Sequence, residues 1–398
     1  MSSNLQGKRV LLGVSGGIAA YKSIELVRQL RQFGARVDVL MTEAAEWFVT
    51  PLTFETLTRQ PVRRDVFQQW TEAEAGHVTL AEQADIMVIA PATANTIAKI
   101  THGLADDMLT VSALACPAPI LIAPAMDHHM YLNQATQANL DTLRSRGIHI
   151  VGPDQGELAS GIIGYGRLVE PDVILGTIRQ IVGNTGPLSG KHVVVSAGAT
   201  REPLDPIRYI SNRSSGKMGY AIAQALIDAG ARTTLITAPT ELAPPVGAET
   251  VAVDSAADMH EAVTSATEFA DALIMSAAVG DYAASEISAE KVKKSDDDMI
   301  IQLERTVDIL ATTRREGLVK VGFAAETENL TEYAMKKLQT KGVDLLVANN
   351  ARQAMGSDEN QAHFFRPGSD PEDLPLMSKH DLAARIVTEL ASLLQARG

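Results

Sequence analysis

Val10-Leu11-Leu12-Gly13-Val14-Ser15-Gly16-Gly17 decides the fold, and His192-Val193-Val194-Val195-Ser196-Ala197-Gly198-Ala199-Thr200 repeats its grammar far downstream. Each is an apolar run that empties into a glycine-containing loop. After the first, Ile24, Val27 and Leu30 fall on one helical face, Gly34 stops the helix, and residues 36–41 form the next apolar run. After the second, Met218, Ile222, Ala225, Leu226 and Ala229 share a face, Gly230 stops it, and residues 233–237 follow. Further runs lie at 85–90, 119–124 and 148–151, then at 272–276, 299–303, 319–323 and 343–348. Short continuous apolar runs joined by amphipathic helices are the pattern of parallel strands buried on both faces. The fold class is therefore α/β, with two doubly wound domains. The Gly/Pro/Ser-rich segment 184–190 follows an amphipathic helix carrying Val173, Ile174, Ile178 and Ile181. It reads as a linker between domains 1–183 and 191–398. The last helix is expected at about residues 380–395, on Leu382, Ile386, Leu390 and Leu394.

Composition narrows the function. The 398 residues are 45% hydrophobic and 21% charged, as in a globular protein of two or three domains. A net charge of −13 argues against general binding to nucleic acid or anionic membranes, which takes clustered Lys and Arg. Cys116 is the one cysteine, so neither a disulfide framework nor a multi-cysteine zinc site is available. It reads as buried filler at a strand edge. No apolar run approaches the roughly 18 residues of a membrane helix. Lys8-Arg9 precede only Val10-Leu11-Leu12 before Gly13, too little for a signal-peptide core. A cytoplasmic location is expected.

In the first half, residues 13–17 hand a strand to a helix, where backbone N–H groups and the helix dipole favour a phosphate. Ser15 adds a hydroxyl. The G-x-G-x-x-G spacing is missing, so no dinucleotide site is specified, and a tight turn is the alternative. Pro91-Ala92-Thr93-Ala94-Asn95-Thr96 follows a strand, where ligands of open α/β sheets bind, although Thr93 or Asn95 could equally cap a helix. Asp127-His128-His129 follows another strand, and adjacent helical side chains diverge too far to favour a metal.

Taken in order, Gly-Val-Ser-Gly-Gly-Ile-Ala-Ala-Tyr-Lys (13–22), Gly-His-Val (76–78), residues 91–96, Pro-Ala-Met-x-x-x-Met (124–130) and Gly-x-Gly-Arg (164–167) resemble the flavin-dependent cysteine decarboxylases, specifically the phosphopantothenoylcysteine decarboxylase family. The resemblance implies a flavodoxin-like/Rossmann-like domain that binds FMN and forms a homotrimer. It implies that Ser15, Gly16, Gly17, Thr42, Thr93 and Asn95 hold FMN and that His77 acts near the substrate thiol. An alkyl carboxylate resists CO2 loss because the carbanion has nowhere to go. The implied route oxidises the cysteine CH2–SH to a thioaldehyde, which accepts those electrons, and later returns them. Two positions depart from the family pattern. Asp127 stands where an asparagine grips the substrate carboxylate, and an ionised Asp there meets like charge unless it is protonated, offset by a cation such as Arg167, or used otherwise. Ser160 stands where a cysteine acts as proton donor, and a hydroxyl is a far weaker acid than a thiol of pKa about 8.5.

In the second half, residues 200–219 form the densest polar stretch of the chain. It is no Walker A loop, yet hydroxyls, Gly216 and Lys217 precede a helix, as in an anion site. Ala277-Ala278-Val279-Gly280-Asp281 follows a strand; Lys291, Lys293 and Lys294 cluster; Lys337 and Lys341 share a helix face. Each has a bland reading as solvated surface. Together they resemble the CTP-using phosphopantothenate–cysteine ligase family, whose Rossmann-like domain this half would adopt. The resemblance implies that the carboxylate of 4′-phosphopantothenate attacks the α-phosphate of CTP, with Mg2+ neutralising pyrophosphate, and that the cysteine amine then displaces CMP from the acyl-cytidylate. By resemblance Asn212 orients the acyl-cytidylate, Lys291 assists its formation, and Ala277, Ala278, Asp281, Asp308, Phe323, Lys337 and Lys341 hold CTP. No metal ligand is singled out. Thr306-Val307-Asp308-Ile309 departs from a family Asn-Pro-Asp-Ile, which puts base selectivity in question.

Both halves in this order resemble the bifunctional coenzyme A biosynthesis family. The implied enzyme ligates cysteine to 4′-phosphopantothenate and decarboxylates the product, with a dimer through the ligase half and a dodecamer when both contacts form. The alternative is a working ligase whose flavoprotein half is impaired or only a scaffold. A phosphatase-regulating role would favour a long acidic tail, which the amphipathic C-terminal helix is not. A nicotinamide oxidoreductase would want the missing glycine spacing.

Overall fold

The computed structural model describes residues 3–66, 76–293, 299–326, 330–350 and 357–397. The chain forms two compact units, Ser3–Val182 and Gly183–Gly398.

In the first unit, strands Arg36–Met41, Arg9–Val14, Ile86–Ala92, Ile120–Pro124 and His149–Ile150 lie side by side in that order, all parallel. This is the 2-1-3-4-5 order of flavodoxin-like sheets. Alternation along the strands splits the core into two layers. Val10, Leu12 and Val14 pack with Leu26, Val27, Leu30, Ile174 and Ile178. Leu11, Met87 and Ile89 pack on the other face with Met108, Leu109 and Leu140. The helices Lys22–Gln32 and Pro171–Gly183 therefore cover one face, and Met108–Ala115 and Gln134–Ser145 the other.

The second unit builds an eight-stranded sheet. Its order is Ala248–Ala252, Arg232–Thr237, His192–Ala197, Ala272–Met275, Val319–Glu326, Leu345–Asn350, Ala362–Phe365 and Glu372–Asp373. The first six are parallel in the Rossmann order 3-2-1-4-5-6, and the last two are antiparallel. Val193 and Val195 face the helices Lys217–Asp228 and Lys379–Arg397, and Val194 faces Ala256–Ala266.

Three details depart from expectation. The run at 299–303 adds no strand to the main sheet. A short strand at Leu303–Arg305 pairs antiparallel with Tyr282–Ala284, and Met299, Ile300 and Ile301 stay exposed. Apolar content alone predicts a strand only where a partner edge exists. Cys116 ends the helix Met108–Ala115 and is half-buried, not at a strand edge. Residues 184–190 make successive turns, and Leu188 is fully buried in the second unit, its N–H donating to Ala229 O. Among the described residues no helix is long and apolar enough to cross a membrane.

Candidate functional site

Each sheet has a switch point, where helical connections leave in opposite directions and a crevice opens at the carboxyl ends of the strands. In the first unit it falls between Arg9–Val14 and Ile86–Ala92. Ser15 bridges it: its buried Oγ donates to Pro91 O at 2.8 Å and accepts from Thr93 N at 2.9 Å. The single hydroxyl proton is thus already used, and Ser15 holds the two walls together. Thr93 caps the helix Ala94–His102, accepting from Thr96 N, and Asn95 is exposed on its first turn. Gly16 lies so close to the next loop that a Cβ would fall 2.4 Å from that of Ala44, whereas Gly17 opens to the crevice with nothing nearer than 3.8 Å. Thr42 donates its N–H to Val14 O, but its Oγ1 is buried without a hydrogen-bond partner. A buried, orphaned hydroxyl is costly unless a ligand satisfies it. Together with the helix N-terminus behind Thr93, this crevice fits a phosphate-bearing, hydroxyl-rich cofactor.

The loop after Ile120–Pro124 meets the hairpin of Asp154–Glu157 and Ile163–Arg167. Asp127 caps the short helix His128–Leu132 and accepts from His129 N at 3.0 Å. Its other oxygen accepts from Ser160 Oγ, in the hairpin turn, at 2.7 Å. The Ser160 hydroxyl, then the His129 N–H, hold the Asp127 carboxyl below the usual carboxylate range against a small opposing effect of burial. Arg167 does not offset Asp127: it pairs with Glu170 at 2.7 Å. Glu170 also receives Lys22 at 2.9 Å, and Lys22 reaches Leu168 O, pinning the glycine loop's helix to the segment that leads from the hairpin into the helix Pro171–Gly183. His128 Nδ1 accepts from Tyr165 N, so that ring is spent on the hairpin. Among the described residues no three His, Cys, Asp or Glu side chains gather as a metal site. His77 belongs to the helix Gly76–Glu82, and its side chain lies outside the described residues.

In the second unit a cavity of about 820 Å3 opens at the switch point between His192–Ala197 and Ala272–Met275. Ala277, Ala278, Asp281, Asp308, Phe323, Lys337 and Lys341 all line it, beside residues 213–219 at the start of the helix Lys217–Asp228. Gly219 sits against the strand end: a Cβ there would lie 2.6 Å from Ala197 Cβ and 2.8 Å from Ser196 O. Ser196 bridges the switch point, its buried Oγ accepting from Ser276 N and Ala277 N at 3.1 and 3.0 Å. Thr200 Oγ1 accepts from Gly280 N. Thr306 supplies the rigidity that a proline would: its Oγ1 donates to Gly280 O at 2.6 Å and its N–H to Asp281 O. Asp308 caps the helix Ile309–Thr312 and pairs with Lys341, and Lys337 donates to Phe323 O at 2.7 Å.

Asn212 and Lys291 are not among the lining residues. Asn212 hangs at the rim, its Nδ2 donating to Ala278 O and Val279 O. Lys291 is exposed, and Lys294 lies outside the described residues. The backbone beside Lys291 is nonetheless fixed. Asp205, buried, accepts from Ile207, Arg208 and Val292 N–H groups and from the Arg208 guanidinium. Burial alone would raise that carboxyl, but these donors hold it far below the ordinary range.

Residues 188–394 match the family model described as DNA/pantothenate metabolism flavoprotein C-terminal domain, and residues 1–183 match the model described as Flavoprotein. The coenzyme A biosynthesis bifunctional protein CoaBC of Bacillus subtilis is 44% identical over 402 residues, covering 99% of each chain. That of Escherichia coli K12 is 42% identical over 98% of each. The chain belongs to the CoaBC family. Among solved structures, the C-terminal domain of a CoaBC protein aligns at 39% identity with a TM-score of 0.47, over 53% of this chain and all of that one. A mutant phosphopantothenoylcysteine (PPC) decarboxylase complexed with pantothenoylaminoethenethiol aligns at 33% identity with a TM-score of 0.41, over 44% of this chain and 97% of that one.

As a CoaBC protein, the chain is a bifunctional enzyme of coenzyme A biosynthesis that joins a decarboxylase in a flavoprotein domain to a ligase. Further residues line this CoaBC ligase cavity, and of these the sequence pattern singled out Lys217, as part of an anion site, but not Asn360 or Lys379. Lys217 pairs with Asp358 at 2.6 Å, and Lys379 is a buried lysine at the start of the last helix. Burial, then the nearby Lys217 charge, push the Lys379 ammonium pKa down, with Asp358 opposing. Asn349 donates to Asn360 at 3.1 Å, and both line the cavity. Asn349-Asn350 ending an apolar run was a usable signal. Lys379, just ahead of the apolar positions that mark the last helix, offers none.

Proposed function

We propose that the second unit joins cysteine to 4′-phosphopantothenate at the expense of CTP, and that the first unit, loaded with FMN, decarboxylates the product to 4′-phosphopantetheine. The observation that carries this reading is the single cavity that gathers Ala277, Ala278, Asp281, Asp308, Phe323, Lys337 and Lys341 at a Rossmann switch point. In a protein of net charge −13, Lys217, Lys337, Lys341 and Lys379 around one cavity suit a polyphosphate. Carboxylate oxygen leaves poorly, and transfer to a nucleotide makes CMP the leaving group. Asn212, already aimed at the loop Ala278–Val279, orients the acyl-cytidylate at the rim. Lys291, beside a backbone clamped by Asp205, reaches over the activated phosphate. Mg2+, carried in on the phosphates with its own waters, needs few protein carboxylates.

FMN supplies a reversible two-electron sink in the first unit. The chain's own part is to receive it: Thr42 Oγ1 gains a partner, the Gly16-Gly17 loop admits its phosphate, and Ser15 keeps the walls together. Thr93 and Asn95 present the N-terminus of Ala94–His102, and His77 is assigned to the substrate thiol. The activities divide at 1–183 and 191–398, with 184–190 joining them, a division supported by the two compact units. Exposed Trp47, Phe48 and Leu52 on the flavoprotein unit support a trimer, and dimers through the ligase unit would close it into a dodecamer. The cytoplasm suits a chain with one cysteine.

The test supplies 4′-phosphopantothenate, cysteine, Mg2+ and either CTP or ATP to purified protein, and follows products by mass alongside flavin absorbance. 4′-Phosphopantetheine formed with CTP supports the reading. Accumulated 4′-phosphopantothenoylcysteine marks a flavoprotein half without turnover, and no product with either nucleotide removes the ligase assignment.

A further inference from the structure

The two positions where the first unit departs from the decarboxylase pattern, Asp127 and Ser160, are far apart in sequence and 2.7 Å apart in space. Neither makes sense alone. Asp127 would repel a substrate carboxylate, and a lone serine hydroxyl is too weak an acid to protonate carbon. In contact they form a unit: the carboxylate takes the Ser160 proton in a hydrogen bond on one oxygen and is held by His129 N on the other. The Ser160 lone pairs remain open, Ser160 is exposed, and Asp127 is half-buried beside it.

We propose that Asp127 and Ser160 act together as the proton source of the decarboxylase, Asp127 storing the proton and Ser160 handing it to the carbon that loses CO2. The proposal rests on the decarboxylase reading of the first unit. Replacing a carboxylate by hydrogen consumes one proton per CO2. The C–C bond breaks, its electron pair stays on the substrate and is shared with sulfur, and a C–H bond forms. Ser160 gives its proton to that carbon while protonated Asp127 replaces it, so no alkoxide appears. Asp127 ends ionised and is recharged from water. The incoming substrate drives the loading. Its carboxylate places a second negative charge beside Asp127, and two neighbouring carboxylates share a proton rather than ionise together. The like-charge encounter that looks unfavourable in the sequence is what arms the donor. His129 is the other titratable group acting on Asp127, and Arg167 is engaged by Glu170.

Two measurements test this. The first needs no flavin and no turnover. A thiol placed by Ser160→Cys is titrated by thiolate absorbance, over the background of Cys116, with Asp127 intact and with Asp127→Asn. Contact with the carboxylate should make that thiol's pKa higher by about one unit when Asp127 is present. Equal values in both backgrounds would overturn the pairing. The second is a double-mutant cycle on decarboxylation of supplied 4′-phosphopantothenoylcysteine, with flavin content checked by absorbance. Asp127→Asn and Ser160→Cys should each cost at least about tenfold, and the combination should recover to within a few-fold of wild type, because a thiol without the adjacent charge is itself a competent acid. Losses that simply multiply would refute a shared role. A wild-type protein that binds flavin and releases no CO2 would instead remove the decarboxylase reading, and it is seen in the same assay before any variant is compared.

Discussion

Thr42 is the residue whose fate separates folding from binding. Its Oγ1 is buried and unpartnered, so removing it should not weaken the apo fold. Thr42→Val is expected to leave the apo melting temperature unchanged or slightly raised, while FMN affinity, read by quenching of flavin fluorescence, falls by about three- to tenfold. Lys320 behaves in the opposite way. Its buried ammonium donates to Leu310 O, Thr313 O and Lys341 O, tying two helix ends beneath the ligase cavity. Lys320→Met should cost about 2–3 kcal/mol by urea denaturation, because carbonyls are left without donors. Burial, outweighing the nearby Asp344, lowers the Lys320 pKa in the folded chain. Between that lowered value and the ordinary value of about 10.4 the unfolded chain binds more protons, so the contribution of Lys320 to stability rises with pH. The methionine variant should lose that rise. Sequence alone pointed to Thr42 only through family resemblance, and to Lys320 not at all. A lysine inside an apolar run carries no sign of three carbonyls waiting above it.

At the scale of elements, the approach of the helix Lys217–Asp228 to the strand His192–Ala197 decides the ligase site. Gly219 meets backbone there, which cannot move aside as a flexible side chain can. Gly219→Ala should destabilise the second unit by about 1–3 kcal/mol and abolish ligation while flavin binding persists. Elements built on apolar runs were legible from the chain: the strands at 9–14, 36–41 and 192–197 and the covering helices arise where burial on two faces demands them. The hairpin carrying Ser160 was not legible, because Asp154-Gln155-Gly156-Glu157 has no apolar alternation and is held by its partner strand. Residues 299–303 misled in the other sense, being apolar yet exposed. The same limit applies to the site. The motifs named the residues that line the ligase cavity, but the Asp127–Ser160 contact joins two loops whose proximity only the folded sheet creates.

At the scale of the molecule, each unit owns a two-layered core, around Val10 and Leu11 in one and around Val193 and Val194 in the other. Calorimetry is expected to show two transitions, the first unit's raised by FMN and the second's by CTP, each without shifting the other by more than about a degree. A single transition moved by both ligands would contradict independent folding. The buried Leu188 also predicts that proteases will not cut readily within 184–190 in the native protein. Finally, Ser15 and Ser196 solve the same problem in separate units: each hydroxyl latches a switch-point crevice from inside. Crevices whose walls the chain itself ties together lose little entropy when occupied, so affinity goes into recognition more than into assembly. The corollary concerns inhibitors. Either slot should select strongly on thickness, and an analogue that must pry the walls apart would have to break a serine latch to enter.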